Sequence, residues 1–443
     1  MIEGRIEPFG LGTFRFYGCH YFNKAGKNLL LSENGCVILL EDGLLESLKG
    51  SSPSPELQFK LVQHGLATVP GKVMFRCEKE VEPKYFIIDL TEKCNFDCIY
   101  CFRDLDNKDT VSFKVLNDIL EYILSYCQRR GMGQMGIQMW GGEPICALDR
   151  IEYVVDFLRK TDLQASIDLE TNGSMITRDV AEKLHQWGIH VGVSLDGPPA
   201  LQDKQRRLRS GGGSSKEVER GIRNLQEFYG DDIGGITVVT KYNYRYVKDM
   251  LDYFIYGLRL KSMKFNIVRD NANAGEQGLG ISNDEVVWFA NELLDYLQAY
   301  RLLGAAFSEG NVDLRARNLL SRAGSSCCIS HGCQGGRRII SFDQKGDIFP
   351  CEMTDFPEEK LGSIYDNADL VEQIEAAVKR NPFFYEKTDE RCTDCPWWYY
   401  CRGGCSSRKR YADENGKIDT VECNLNRTIY PRLVEWALDG YIQ

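Results

Sequence analysis

From Lys84 onward, short apolar runs alternate with stretches in which apolar residues recur every three to four positions. The runs cover 85–90, 136–140, 166–170, 190–195, 235–240 and 263–268, and helical periodicity marks 115–126, 151–159 and 180–187. Strands recurring with helices between them build βα units and a parallel sheet. Six units predict an α/β fold, a partial (β/α)6 TIM-like barrel rather than the complete barrel of eight, with its chemistry in loops at the C-terminal ends of the strands. Ahead of the barrel, 14–21 alternates aromatic and polar residues, and Asn23-Lys24-Ala25-Gly26-Lys27 reads as a turn. The runs 29–31 and 37–40 flank Asn34-Gly35, a hairpin signal. Leu44, Leu45 and Leu48 have helical spacing, as do Leu57, Leu61 and Leu66 after Ser54-Pro55. Three strands with two or three helices predict a winged-helix-like module, the plainer alternative being a cap on the barrel. Downstream, 211–215 reads as a loop, 271–280 closes the barrel and 283–303 is a helix. The expected divisions are an N-terminal module over 1–83, a barrel over 84–310 and a cysteine-rich region over 311–443. Ile2-Glu3-Gly4-Arg5 reads as a protease-cleavage remnant and carries no structural expectation.

Composition narrows the function. The chain has 443 residues, 43% hydrophobic and 27% charged, which excludes a disordered scaffold. Its 54 basic against 64 acidic residues give −10, arguing against a general grip on nucleic acid or anionic lipid. No apolar run reaches the length of a membrane span, and the start lacks a secretory pattern, so a cytoplasmic setting is expected. Seventeen cysteines are the outlier. Without an export signal they favour metal or redox chemistry over disulfides.

Directly after the first strand comes Cys94-x3-Cys98-x2-Cys101. Three thiolates on one loop suit a [4Fe–4S] cube that leaves one iron open for a ligand. The bland alternatives are a zinc site short of one ligand, or inert buried thiols. Trp140-Gly141-Gly142-Glu143-Pro144 ends the second strand, Thr171-Asn172-Gly173 the third and Ser194-Leu195-Asp196-Gly197 the fourth.

In this order the cysteines and the Gly-Gly-Glu-Pro resemble the signature of radical S-adenosylmethionine enzymes. The resemblance implies that the open iron chelates S-adenosylmethionine and that Gly141, Gly142 and Glu143 receive its ammonium. It places Asn172 and Ser194 at the cofactor, Ser194 on the ribose or carboxylate. It also places Arg206 on the carboxylate, with Arg207 and Arg209 as competitors for that role. Tyr100 and Phe102 would shield the cluster and adenine, or simply pack.

Near the C-terminus, Cys392-x2-Cys395-x5-Cys401-x3-Cys405-x17-Cys423 follows Cys333-x12-Gly346-x4-Cys351. This resembles the SPASM extension of radical S-adenosylmethionine peptide modifiers, with two auxiliary [4Fe–4S] clusters. By that resemblance one takes Cys327, Cys333, Cys351 and Cys405, with Cys328 able to replace Cys327. The other takes Cys392, Cys395, Cys401 and Cys423, a structural zinc being the alternative. Cys19, Cys36, Cys77, Cys127, Cys146 and Cys328 are left as buried small hydrophobes.

The resemblance implies three clusters, S-adenosylmethionine, and an external electron donor such as flavodoxin or ferredoxin. A 5′-deoxyadenosyl radical would take hydrogen from a ribosomally made precursor peptide, leaving an intramolecular thioether or C–C crosslink. The N-terminal pattern resembles the peptide-recognition element of such maturases, which adds a leader as an extra strand. The rival is an anaerobic sulfatase maturase, which forms formylglycine. That family has Asp after a cluster cysteine where this chain has Glu352 after Cys351, a candidate base. A non-catalytic iron–sulfur carrier or regulator is a remote third reading.

Overall fold

The computed structural model describes residues 1–443 except 33, 71–80, 105, 270–271, 321–331, 355–356, 381–389, 413–418 and 443. Cys77, Cys327 and Cys328 therefore lie outside the described residues.

All six apolar runs are strands: Tyr85–Thr91, Gln134–Gly141, Gln164–Thr171, Ile189–Ser194, Gly234–Val239 and Ser262–Ile267. They pair in parallel in chain order, as six consecutive βα units require. Helices Phe113–Arg129, Leu148–Leu158, Arg178–Gln186, Ser215–Tyr229 and Val247–Asp252 lie in the connections. Ser112 and Thr177 start two of them by accepting from the amides of Val115 and Val180. Period-two alternation puts Ile137, Met139, Ile167, Leu169, Val191 and Val193 in the core shared with the helices. The other row, including Gln138, Trp140, Asp168, Glu170 and Ser194, faces the barrel interior.

The sheet does not end with the barrel. Ile339–Phe342 pairs in parallel with Tyr85–Thr91, and Asp347–Phe349 and Gly362–Ser363 follow antiparallel. Ser308–Glu309 extends the other edge, giving ten strands. The expected division near 310 thus falls inside one continuous sheet.

The N-terminal module is richer in strands than expected. Ile2–Ile6, Cys19–Lys24, Lys27–Ser32 and Val37–Glu41 form an antiparallel sheet. Phe9–Leu11, Phe14–Phe16 and Ala67–Thr68 form a second one. The run 14–21 splits between the two sheets near Gly18, where φ is +82°. Ile2-Glu3-Gly4-Arg5, discounted above as a remnant, is part of an edge strand. Gly4 pairs with Tyr21, whose ring lies where a Cβ would stand, at 2.3 Å from its hydroxyl oxygen. Ala25 and Gly26 both have positive φ, as a two-residue hairpin turn requires. Helices Asp42–Lys49 and Pro55–Gln63 close a separate apolar core around Phe14, Phe16, Leu48 and Leu61. Phe22, Leu29 and Leu31 belong instead to the main core. Lys24 reaches Glu435 and Asp439, both at 2.7 Å, on the helix Thr420–Asp439. The module therefore rests on the C-terminal region. Among the described residues no helix is long and apolar enough to cross a membrane.

Candidate active site

The first barrel strand runs into the cysteine loop, which returns as the short strand Phe96–Cys98. That strand pairs antiparallel with Arg206–Leu208, setting Arg206 opposite Cys98. Phe96 is buried and anchors the loop, and the Cys101 amide donates to the Cys98 carbonyl at 3.0 Å. Burial pushes the Cys94 thiol up to about 11 and raises Cys98 and Cys101 as well. Thiolates are disfavoured there until a cation compensates them, as for any buried thiol, Cys127 included. Among the described residues no three His, Cys, Asp or Glu side chains close around a point as a single ion requires. An iron–sulfur cluster spreads its thiolates over several irons and suits this loop.

The Gly-Gly-Glu-Pro shelf has a structural duty besides any contact with a cofactor. A Cβ on Gly142 would stand 2.6 Å from the Lys93 carbonyl oxygen and 2.7 Å from that of Glu92. One on Gly141 would stand 2.5 Å from the Thr91 carbonyl oxygen. The glycines thus let the second strand's end pack on the root of the cysteine loop. Glu143 is fully buried: Oε1 accepts from Thr171 Oγ1 (2.7 Å) and the Ile145 amide (3.1 Å), and Oε2 from the Asn172 amide (2.7 Å). Burial raises its pKa while these donors oppose the shift. Asn172 Nδ2 donates to Asn95 Oδ1 at 2.8 Å and lies 4.0 Å from Cys94 Sγ. A chain of hydrogen bonds therefore runs from Glu143 through Asn172 to the cysteine loop.

Of the three arginines, Arg206 is buried while Arg207 and Arg209 are exposed. Its Nε lies 3.1 Å from Asp196 Oδ1, and its guanidinium sits 5.4 Å from the centre of the Tyr100 ring. Asp196 Oδ2 accepts from the Tyr100 hydroxyl at 2.5 Å, and Oδ1 from the Val238 amide at 2.9 Å. Sequence reasoning gave Asp196 no role; its only signal was its place in the motif that ends the fourth strand. Ser194 is half-buried beside it, and Phe102 is half-buried near the Arg103 guanidinium. Arg103 bridges Asp89 (2.8 Å) and Glu92 (2.7 Å).

One inner layer remains unsatisfied. Trp140 lies across from Asp89, one step past the pair that aligns it with Glu170. Asp89 Oδ1, Trp140 Nε1 and Glu170 Oε2 are buried without a hydrogen-bond partner among the described residues. A ligand bearing hydroxyl and amine groups would satisfy such atoms. Burial pushes the Glu170 carboxyl up to about 7, and Gly192 leaves it room: a Cβ there would sit 2.4 Å from Oε2.

The C-terminal cysteines gather in two groups. Cys405 has a raised pKa, first through its hydrogen bond with Cys333, then through burial. Cys351 is raised by burial and by the charges of Glu352 and Cys405. Glu352 is half-buried at this group. Arg269, just past the sixth barrel strand, donates to Ser407 Oγ at 2.7 Å, and Arg408 reaches the Ile267 carbonyl at 2.7 Å. The second group is one cavity lined by Cys392, Cys395, Cys401 and Cys423, with Trp397 and Asn426 beside them. Asn426 Nδ2 donates to Cys401 Sγ at 3.3 Å. Cys19, Cys36 and Cys127 are buried as expected, whereas Cys146 is half-buried, its thiol 3.7 Å from Met175 Sδ.

Residues 88–254 match the Radical SAM superfamily. The chain carries a radical SAM domain. Radical SAM enzymes use a [4Fe–4S] cluster and S-adenosylmethionine, and the donor sets above fit both. An uncharacterized protein of Methanocaldococcus jannaschii is 30% identical over 188 residues, 42% of this chain and 63% of that protein, so the chain spans under two thirds of that relative. The cysteine-type anaerobic sulfatase-maturating enzyme of Clostridium perfringens is 26% identical over 363 residues, 79% of this chain and 94% of that enzyme. Among solved structures, native anSMEcpe with bound AdoMet has a TM-score of 0.70 at 23% identity, covering 81% of this chain and all of that one. Streptococcus suis SuiB bound to its precursor peptide SuiA has a TM-score of 0.57 at 14% identity, covering 90% of this chain and 96% of that one. At these identities the structures show a shared fold, the α/β radical SAM partial barrel.

Proposed function

We propose that this radical SAM enzyme matures a ribosomally made precursor peptide, forming an intramolecular thioether or C–C crosslink. The observation that carries the reading is the N-terminal module, a unit with its own core and with Val37–Glu41 at the edge of its sheet. Leu39 on that strand is about half exposed, and an extended leader could add there as a further strand. The likeness to SuiB supports the reading because it takes in more of this chain than the likeness to anSMEcpe does.

In this reading Cys94, Cys98 and Cys101 hold the first cluster, and Gly141, Gly142, Glu143, Asn172, Ser194 and Arg206 bind S-adenosylmethionine, with Tyr100 and Phe102 screening the site. When bound, the pair supplies an adenosyl radical able to take hydrogen from an inert C–H bond. Cys327, Cys333, Cys351 and Cys405 hold one auxiliary cluster, and Cys392, Cys395, Cys401 and Cys423 the other. The four-thiol cavity and the convergence of Cys333, Cys351 and Cys405 support three clusters in all. Glu352, beside that convergence, is the candidate proton acceptor. The electron donor is an external carrier such as flavodoxin or ferredoxin, and oxygen-labile clusters suit a reducing cytoplasm.

Sulfatase maturation is the second reading, favoured by the coverage of 94% of the C. perfringens enzyme. Anaerobically reconstituted enzyme, offered short peptides encoded beside its gene and Cys- or Ser-containing sulfatase peptides, separates the two. Loss of two hydrogens from a precursor supports maturation. An aldehyde on the sulfatase peptide, with every precursor unchanged, overturns it.

A further inference from the structure

We propose that the second four-cysteine site is the latch that seats the N-terminal module, so that the module docks firmly only when that site is loaded. This rests on reading Cys392, Cys395, Cys401 and Cys423 as cluster ligands and the module as the recognition element.

Cys395 and Cys401 bracket the run Pro396-Trp397-Trp398-Tyr399-Tyr400. Trp397 is buried between two near-parallel rings, Phe22 of the N-terminal sheet at 5.2 Å and 15°, and Tyr430 of the helix Thr420–Asp439 at 5.3 Å and 13°. The same Trp397 lines the four-cysteine cavity. Two residues on, Tyr399 occupies the space a side chain at Gly35 would need: a Cβ there would meet its ring at 1.6 Å. Gly35, with φ +80°, is the turn between Lys27–Ser32 and Val37–Glu41. The Tyr400 hydroxyl donates to the Gly35 carbonyl at 3.4 Å. The aromatic side of the seat is thus a five-residue loop with a metal ligand at each end.

The other contacts differ in kind. Leu29 and Leu31 pack into the main core without fixed ring geometry, and Lys27 Nζ donates to the Leu438 carbonyl at 3.1 Å. Arg5 to Asp394 at 3.3 Å and Lys24 to Glu435 and Asp439 at 2.7 Å are solvent-accessible ion pairs, which hold weakly. Stacked aromatics contribute through fixed geometry, and geometry is what two anchored thiolates impose on a short loop. Between Cys392 and Cys405 the only regular structure among the described residues is the single turn Trp398–Cys401 and the end of a 3-10 turn. Without metal, little local structure would keep Trp397 between its two partners. A chain with the barrel site loaded and this site empty would then present a loosened recognition module.

Hydrogen exchange on the full-length protein tests the latch. Fully reconstituted enzyme is compared with the variant C395S/C401S and with W397A, following amides over 19–32 and, as an internal reference, over 134–141 and 164–171. Amides 19–32 should exchange faster by on the order of tenfold in both variants, with the barrel strands unchanged. Phe22→Ala, which cuts the same stack from outside the cavity lining, should keep the full iron content and so separate the stack from metal loss. Wild-type protection over 19–32 in C395S/C401S, with iron analysis showing that cluster gone, would overturn the proposal. So would wild-type protection in W397A. If C395S/C401S also loses barrel protection, Phe22→Ala in the loaded enzyme decides, because it cuts the stack from the other side. A coupled module in an enzyme that modifies no peptide would sink the maturase reading and leave the latch standing.

Discussion

The loop 94–101 and the lobe 392–423 both gather cysteines, yet the chain holds them by different means. The loop is fastened by a strand ladder to Arg206–Leu208, by backbone contacts of Gly142 and Glu143, and by the Glu143–Asn172–Asn95 hydrogen bonds. Its frame exists before any metal arrives. In the lobe, two short helical turns and the start of the helix Thr420–Asp439 surround a cavity faced by four thiols, three from the stretch 392–401 and one from Cys423. There the metal supplies part of the frame. A site that must bind and turn over a ligand gains from a rigid, protein-built support, whereas a permanently filled site can leave its geometry to the cluster.

The largest effects should separate these two regimes. Replacing Cys94, Cys98 and Cys101 with Ala should abolish 5′-deoxyadenosine formation and remove about a third of the iron, with little change in the melting of the chain. Replacing Cys392, Cys395, Cys401 and Cys423 should lower and broaden the melting transition seen by calorimetry. Equal losses of stability in the two proteins would erase the contrast. Next comes Glu143→Ala, which strands three buried donors and should cost about 3 kcal/mol in denaturant unfolding, with weaker cluster retention. A loss below about 1 kcal/mol would mean that the shelf does not depend on this carboxylate.

Glu170 gives a smaller effect with a defined sign. Its folded pKa is raised from 4.5 to about 7, so the folded state holds the proton more tightly than the unfolded chain. The Glu170 contribution to stability should therefore be most favourable below about 4.5 and fall as pH rises towards about 7. Glu170→Gln should remove that fall and leave the metal-free protein about 3 kcal/mol more stable at alkaline pH. Parallel stability–pH curves for the two proteins would show that the inner layer is already relaxed. The smallest effect belongs to Lys24→Ala, whose ion pairs face solvent; its melting should match that of the parent.

What the sequence made legible follows the strength of local signals. The six barrel strands could be read because each is an apolar run, and the connecting helices because apolar residues recur at helical spacing over 115–126, 151–159 and 180–187. Ile2–Ile6 was hidden because its partner is Cys19–Lys24 and its apolar content is slight. Phe9–Leu11 and Ala67–Thr68 are too short for periodicity to register, and the alternation over 14–21 hid the break at Gly18 that sends Phe14–Phe16 to a second sheet. Ile339–Phe342 is buried along its whole length, and nothing local announces that it pairs with residues near 85. At the site, motif order located Gly141, Gly142 and Glu143, but which atoms they touch depends on the cysteine loop folding back over them. That Arg206 is buried while Arg207 and Arg209 are exposed follows from the ladder to Phe96–Cys98, a contact made across about a hundred residues.

That return of Ile339–Phe342 to the first barrel strand also sets a clock for synthesis. The chain makes Tyr85–Thr91 early, yet the neighbour that covers its outer edge is encoded some 250 residues later. At about 5–20 residues per second, the strand beside the cysteine loop waits roughly 12–50 s with one edge unpaired. An open edge is an invitation to wrong partners. It is also an interval in which a metal-delivery protein could reach Cys94, Cys98 and Cys101 before the later strands and the cysteine lobe arrive beside them.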